Sequence, residues 1–134
     1  MKDCIFCKII SGELPSHKVY EDDNNLAFLD INPTSHGHTL VVPKKHFVNM
    51  EDVPEEELKQ TILIVKKIGK KLKDGLGVES YNICVNNDPA AGQLIPHIHF
   101  HLVPRYKNDN LKPWPQASYP EGKAEEVLEK IKIK

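Results

Sequence analysis

The clearest hydrophobic pattern in the chain lies between Pro54 and Gly75. Apolar residues recur there at spacings of three and four, the period of one buried face of an α-helix. The predicted buried residues are Leu58, Ile62, Val65, Ile68, Leu72 and Leu76. Glutamates begin the segment and lysines follow toward its end, a charge order that complements a helix dipole. We therefore predict one long helix whose lysines face solvent rather than nucleic acid.

Short runs rich in apolar and β-branched residues flank this helix and predict strands. They are HKVYED at 17–22, NLAFLDI at 25–31, HTLVVP at 38–43, YNICVN at 81–86 and HIHFHLV at 97–103. Short helices are predicted at the two ends, over 4–11 and 123–133. Strands, one central helix and strands again favour an α+β fold with a five-stranded, mainly antiparallel sheet.

Composition limits the classes of protein that fit. The chain has 134 residues, 28% charged residues and a formal net charge of -1, so we expect a single domain over 1–134 without a general attraction to nucleic acid. The sequence contains no run of about 18 apolar residues, the length that would suggest a membrane span. Three cysteines do not form a secreted disulfide framework, which favours a reduced, cytoplasmic setting.

Three histidines alternate with apolar residues in the segment HIHFHLV. On a strand, His97, His99 and His101 would share one face, while the residues between them pack into the core. The outer two would then lie about 13 Å apart, too far to bind one ion together. The open interpretations are a histidine-rich outer face, a metal-dependent hydrolase using one HxH pair, and covalent catalysis by a neutral imidazole.

The preceding segment, VNNDPAAGQ, is compatible with a phosphate-binding loop. Asn86 can donate from its amide, and the small residues with Gly92 let backbone N–H groups approach an anion. The same residue types are also common in ordinary turns. A second motif, the CxxC of Cys4 and Cys7, is a weak metal signal, and a redox dithiol or two plain helix residues remain open.

Taken together, these segments resemble the histidine triad (HIT) family, whose signature is HxHxHxx with apolar residues at x. HIHFHLV matches it throughout. The segments CIFCKIISGELPSHKVYEDD, LAFLDINPTSHGHTLVVPKKH, NICVN and AGQ also resemble the family, in the same order, and are most similar to its zinc-bearing Hint branch. The resemblance implies one HIT-like domain, a homodimer, and nucleotide hydrolysis or transfer at the α-phosphate.

The resemblance also implies roles for individual residues. His99 would be the nucleophile that forms a nucleotidyl-histidine intermediate, and His101 would contact the α-phosphate. The implied substrate-binding residues are Phe28, Asp30, Ile31, His38, Asn86, Gly92, Gln93, His99 and His101. A structural zinc ion would be held in a closed tetrahedral site by Cys4, Cys7, His46 and His97.

One position departs from the family. Relatives usually have Ser or Thr three residues before the first histidine of the triad, and this chain has Leu94. We expect the preferred leaving group or the rate to differ, with Gln93 or water replacing the hydroxyl. The expected substrates are purine nucleoside phosphoramidates or related adenylate conjugates. The alternatives are a dinucleoside polyphosphate hydrolase, a non-catalytic nucleotide-binding module, and the metal-dependent hydrolase.

Overall fold

A computed structural model describes residues 3–133 of the chain. The elements are α1 (Ile5–Ile10), β1 (Lys18–Glu21), β2 (Asn25–Leu29), β3 (Thr39–Pro43), α2 (Glu55–Leu76), β4 (Ser80–Val85), β5 (Phe100–Arg105) and α3 (Lys123–Ile131). A short 3₁₀ turn over Pro89–Ala91 lies between β4 and β5. Within the described range, no helix is both long and apolar enough to cross a bilayer.

The five strands form one sheet in the order β1-β2-β3-β5-β4, and every neighbouring pair is antiparallel. This confirms the predicted α+β class, with one long helix in the middle of the chain and short helices toward both ends. β1 and β4 are the edge strands. Placing β5 between β3 and β4 brings residues far apart in the sequence into contact at the site described below.

The sheet separates two apolar clusters. On one face, α2 contributes Ile64, Val65 and Ile68 to a core that includes Ile98 and Phe100. On the other face, Phe6 of α1 packs with a cluster drawn mainly from β2 and β3. Because side chains alternate along extended backbone, the apolar residues between the histidines point toward α2 and the imidazoles point toward α1. The predicted alternation is confirmed.

The buried face of α2 differs from the predicted one. Ile62 and Leu76 are 45% and 49% exposed, whereas Thr61 and Ile64 are buried. The face packed on the sheet runs through 61, 64, 65, 68 and 72, so Ile62 lies about 100° away from Thr61 around the helix. The lysines at 66, 67, 70, 71 and 73 are all exposed, as predicted.

The last strand starts later than predicted. β5 begins at Phe100, because both neighbouring ladders end there, at Val41 of β3 and Val85 of β4. The residues just before it bond elsewhere, and the Ile98 N–H donates to the Phe47 carbonyl at 2.7 Å. His97 lies in a bend over residues 95–97 and His99 follows it ahead of the strand, so of the three histidines His101 alone belongs to the sheet.

Candidate active site and metal cluster

A cavity of about 620 Å³ lies between α1 and the sheet. Its lining includes all the predicted substrate-binding residues except His38 and Gln93. Phe28, Asp30 and Ile31 come from the end of β2 and the turn after it. Asn86 and Gly92 come from the loop between β4 and β5. The fold thus gathers three distant segments around His99 and His101.

The apolar end of this cavity, at α1, was not predicted from the sequence. It is lined by Ile5, Phe6 and Ile9 of α1. The Phe6 ring packs edge-on against the rings of Phe28 and His99, with ring centroids 5.6 and 4.9 Å apart. The i, i+4 spacing of Ile5 and Ile9 was a signal that α1 has an apolar side, which here lines the cavity. The cavity consequently has an apolar end and an end lined by histidines and an amide.

His99 is held in one tautomer by the backbone. Its Nδ1 lies 2.8 Å from the His97 carbonyl oxygen, and because a carbonyl only accepts, Nδ1 must carry the proton. The lone pair is then on Nε2 of a ring that lines the cavity. Burial lowers the pKa of His99 below its ordinary value, so the imidazole is neutral, and nucleophilic at Nε2, near pH 7.

His38 and His101 form a chain of hydrogen bonds that fixes a second tautomer. The Thr34 N–H donates to Nδ1 of His38 at 3.0 Å, so the His38 proton is on Nε2. That Nε2–H donates to Nδ1 of His101 at 2.9 Å, which leaves the His101 proton on its own Nε2. His38 therefore lies behind His101 and sets which nitrogen of His101 is a donor.

Burial keeps these imidazoles uncharged. It lowers the pKa of His101 to about 4, with the neighbouring His99 adding to the effect, and it lowers the pKa of His38 as well. The Asp30 carboxylate acts in the opposite direction on both, since a nearby negative charge favours the protonated form. At pH 7 the site thus offers one bare imidazole nitrogen on His99 and one N–H donor on His101.

Asp30, His38 and His101 also lie close enough to suggest a metal site, with their ligand atoms within 4.8 Å of one another. The tautomers argue against it. His38 accepts from a backbone N–H at Nδ1, so its Nε2 holds the proton and has no lone pair to offer. These three residues form a hydrogen-bonded and charged arrangement, and the geometry disfavours a catalytic ion there.

Gln93 is not brought into the cavity. Its side chain is 6% exposed, its Nε2 donates to the Val48 carbonyl at 2.6 Å, and its Oε1 accepts the Asp88 N–H at 2.7 Å. Both polar atoms are therefore used within the protein. Leu94, by contrast, lines the cavity and is 92% exposed. Because the Gln93 amide is engaged within the protein, it does not replace the hydroxyl that the resemblance led us to expect at position 94.

A second cluster brings together Cys4, Cys7, His46 and His97, as predicted from the resemblance. Cys4 caps α1, and its sulfur accepts the Cys7 N–H at 3.3 Å. The Cys4 and Cys7 sulfurs lie 3.4 and 3.6 Å from Nδ1 of His97, and Cys7 lies 3.3 Å from Nδ1 of His46. The two cysteines are free rather than joined by a disulfide.

These distances fit a zinc ion. With Zn–S and Zn–N bonds of about 2.3 and 2.05 Å, a tetrahedral ion separates its sulfur and nitrogen ligands by about 3.6 Å. His97 is also in the required tautomer, because its Nε2 lies 2.8 Å from the Pro43 carbonyl and must carry the proton. The Nδ1 lone pair then faces the two thiols, an orientation set by an outer-shell hydrogen bond.

Comparisons with known proteins agree with this architecture. The HIT domain family model matches residues 11–108. An uncharacterized HIT-like protein of Methanocaldococcus jannaschii is 56% identical over 106 residues, covering 79% of this chain and 81% of that protein. The adenosine 5'-monophosphoramidase of Schizosaccharomyces pombe is 42% identical over 135 residues, covering 96% and 98%.

A solved structure gives the same result. The Zn-bound histidine triad family protein from Mycobacterium smegmatis superposes with a TM-score of 0.79 at 41% identity, covering 83% of this chain and 81% of that one. The family model spans the sheet and the triad, and the relatives match most of the chain at high identity. The chain belongs to the HIT family.

Proposed function

We propose that the protein is a nucleotide hydrolase that acts at the α-phosphate through a nucleotidyl-histidine intermediate on His99. The observation that carries the proposal is the hydrogen bond from Nδ1 of His99 to the His97 carbonyl, which leaves a lone pair on Nε2 in the cavity. The similarity to an adenosine 5'-monophosphoramidase supports a nucleotide hydrolase activity. We infer that the substrates are purine nucleoside phosphoramidates or related adenylate conjugates.

Different regions of the cavity suit different parts of such a substrate. Its apolar end, with Phe6 and Phe28, suits a purine base, because aromatic rings stack on it without specific donors. The Asp30 carboxylate can accept hydrogen bonds from the two ribose hydroxyls. Asn86 and Gly92 then lie on the side of the α-phosphate, next to the triad.

The reaction follows from the two tautomers. Nε2 of His99 attacks phosphorus, the phosphorus–nitrogen bond breaks, and the amine leaves with a proton taken from water. The Nε2–H of His101 donates to a phosphate oxygen as charge develops there. The hydroxyl of that water then replaces His99 on phosphorus, so one water is consumed and the nucleoside monophosphate and amine are released.

A single-turnover experiment tests the proposal. Labelled adenosine phosphoramidate is mixed with the native protein, His99→Ala and His99→Gly, quenched in base and measured by intact mass, with exposed His17→Ala as control. We expect an adenylate adduct on the native and control chains alone. Turnover that survives without His99 and stops with chelator would favour a metal-dependent hydrolase, and AMP binding without turnover would favour a binding module. The same assay with a dinucleoside polyphosphate distinguishes that substrate class.

We also propose that the Cys4–Cys7–His46–His97 cluster binds structural zinc. Four protein ligands close the coordination sphere, so no position remains for substrate. The ion would join α1 to the segment that carries the triad. Burial and the neighbouring Cys4 raise the pKa of the Cys7 thiol to about 11, and a bound cation would supply the charge that stabilises the thiolate.

A homodimer is the assembly that we infer. β4 is an edge strand with unpaired backbone groups, and its Ile83 is 48% exposed. α2 exposes Ile62 and Leu63 at 45% and 57%. Exposed strand edges with apolar side chains favour pairing between chains. Ile83→Lys should give a monomer in analytical ultracentrifugation, whereas Val19→Lys on the opposite edge strand should not, and unchanged mass in Ile83→Lys would reject this interface.

The remaining expectations concern the whole chain. We infer that residues 1–134 act as one domain, since a single sheet takes strands from Lys18 to Arg105. We also infer a cytoplasmic setting, because the thiols of Cys4 and Cys7 must stay reduced to bind zinc.

A further inference from the structure

Asp88 has a backbone conformation that is unusual for a residue with a side chain. Its φ is 74° and its ψ is 161°, a region that glycine alone occupies readily. Asp88 also precedes Pro89, and the residue before a proline normally prefers extended backbone with negative φ. Such a conformation persists only where the surrounding contacts hold it.

Two side chains hold Asp88 in this conformation. Asn49 donates from Nδ2 to the Asp88 carboxylate at 2.9 Å. Gln93 accepts the Asp88 N–H at Oε1, at 2.7 Å, and donates from Nε2 to the Val48 carbonyl, at 2.6 Å. Gln93 is thus a bridge between the loop that contains Asp88 and the segment before α2. A further bond, from the Met50 N–H to the Asn87 side chain at 2.8 Å, joins the same two segments.

The loop held in this way carries the two groups assigned to the phosphate. Asn86 lies two residues before Asp88, Gly92 lies four residues after it, and both line the cavity beside His99. Gly92 has φ +93°, and a Cβ there would lie 3.6 Å from the Asn86 amide nitrogen. A rotation of the backbone at Asp88 would therefore move Asn86 and Gly92 relative to each other.

We propose that Gln93 and Asn49 are positioning residues: they hold the strained backbone of Asp88 and so fix Asn86 and Gly92 at the distance that the α-phosphate requires. This inference rests on the proposed function, and it gives Gln93 a role without substrate contact. Loss of either anchor lets Asp88 relax toward negative φ and displaces the loop. The base and ribose subsites are unaffected, because Phe6, Phe28 and Asp30 belong to other segments.

Binding measurements test the proposal without any need for turnover. Calorimetry compares AMP with adenosine, which lacks the phosphate, on the native protein, Gln93→Ala, Asn49→Ala and the exposed control Gln60→Ala. We expect each anchor variant to lose about ten-fold in AMP affinity and to bind adenosine as the native protein does. Equal loss for both ligands, or none for AMP, would overturn the proposal. If native protein binds AMP without hydrolysing phosphoramidates, the proposed function fails and this test still stands.

A double variant isolates the strain itself. Asp88→Gly removes the steric cost of the observed backbone angles, so Gln93→Ala should cost less AMP affinity in the Asp88→Gly background than in the native one. An equal loss in both backgrounds would mean that strain at Asp88 is not what Gln93 restrains. If Gln93→Ala does not fold, Asn49→Ala, at a half-buried position, provides the same test.

Discussion

The chain of hydrogen bonds from Thr34 through His38 to His101 leads to a sharp prediction for His38→Phe. Phenylalanine fills the space of the imidazole, so no large cavity is left at this buried position, where His38 is 4% exposed. In the native protein, Nε2 of His38 donates to Nδ1 of His101 at 2.9 Å. Phenylalanine has no donor to replace this bond. His101 is then free to carry its proton on Nδ1, the tautomer that presents no N–H to the phosphate.

The size of the effect follows from that one bond. A hydrogen bond of this kind contributes about 0.5–1.5 kcal/mol net, and 1.4 kcal/mol is a factor of about ten. The donor tautomer of His101 should therefore become about two- to ten-fold less favoured. We expect kcat for an adenosine phosphoramidate to fall by at most this factor, because kcat follows the fraction of His101 in the donor tautomer.

Nitrogen-15 NMR observes the tautomer directly. Long-range proton–nitrogen spectra should show the His101 proton on Nε2 in the native protein and a mixture in His38→Phe, while His99 keeps its proton on Nδ1 in both. The exposed His36→Phe is the matched control. A native His101 protonated on Nδ1, or a variant with native tautomer and native kcat, would refute the reasoning.

Other predictions concern stability. Burial lowers the pKa of His101 from 6.5 to about 4, so between these pH values the folded protein binds fewer protons than the unfolded chain. The free energy of unfolding should therefore be highest above pH 6.5 and fall by about 3 kcal/mol toward pH 4. Urea titrations should show a smaller loss in His101→Gln, and an equal loss would contradict this. Cys7→Ser should melt roughly 10 °C below the zinc-loaded protein and no longer respond to chelator; a retained response would count against the zinc site. Thr61→Val, which removes the 2.7 Å bond from the Thr61 hydroxyl to the buried side-chain Oδ1 of Asn25, should cost about 2 kcal/mol in urea, and a loss below about 0.5 kcal/mol would show that Asn25 finds another partner.

The period of the apolar residues predicted the elements of the fold well, but it was less accurate for the start of the last strand and for the buried face of α2. The alternation around the histidines correctly placed Ile98, Phe100 and Leu102 in the core. It did not show that regular pairing begins at Phe100, since this depends on where two distant strands end. The α2 period correctly predicted a helix, but spacing alone did not separate the face through Thr61 from the one through Ile62.

For the site, the sequence predicted which side chains come together but not the backbone groups that orient them. Seven of the residues that line the cavity were named from the resemblance, whereas the apolar residues of α1 were not. The tautomers of the three histidines depend on backbone groups of Pro43, Thr34 and His97 itself. Every residue type supplies a carbonyl, and every type except proline supplies an N–H. The position of Gln93 depends on the Val48 carbonyl in the same way. Backbone partners leave no trace in the side-chain pattern, so only a structure shows them.

The backbone partners of the histidines limit how this site can be transplanted by design. A designer who copies three imidazoles onto a strand of another scaffold would obtain three interchangeable rings. In the proposed function, one ring is a metal ligand, one a nucleophile and one a donor. The difference comes from the second nitrogen of each ring: Nε2 of His97 contacts the Pro43 carbonyl, Nδ1 of His99 contacts the His97 carbonyl, and Nδ1 of His101 contacts the His38 ring. A working graft must therefore include the Pro43 carbonyl and the turn at Thr34 along with the side chains.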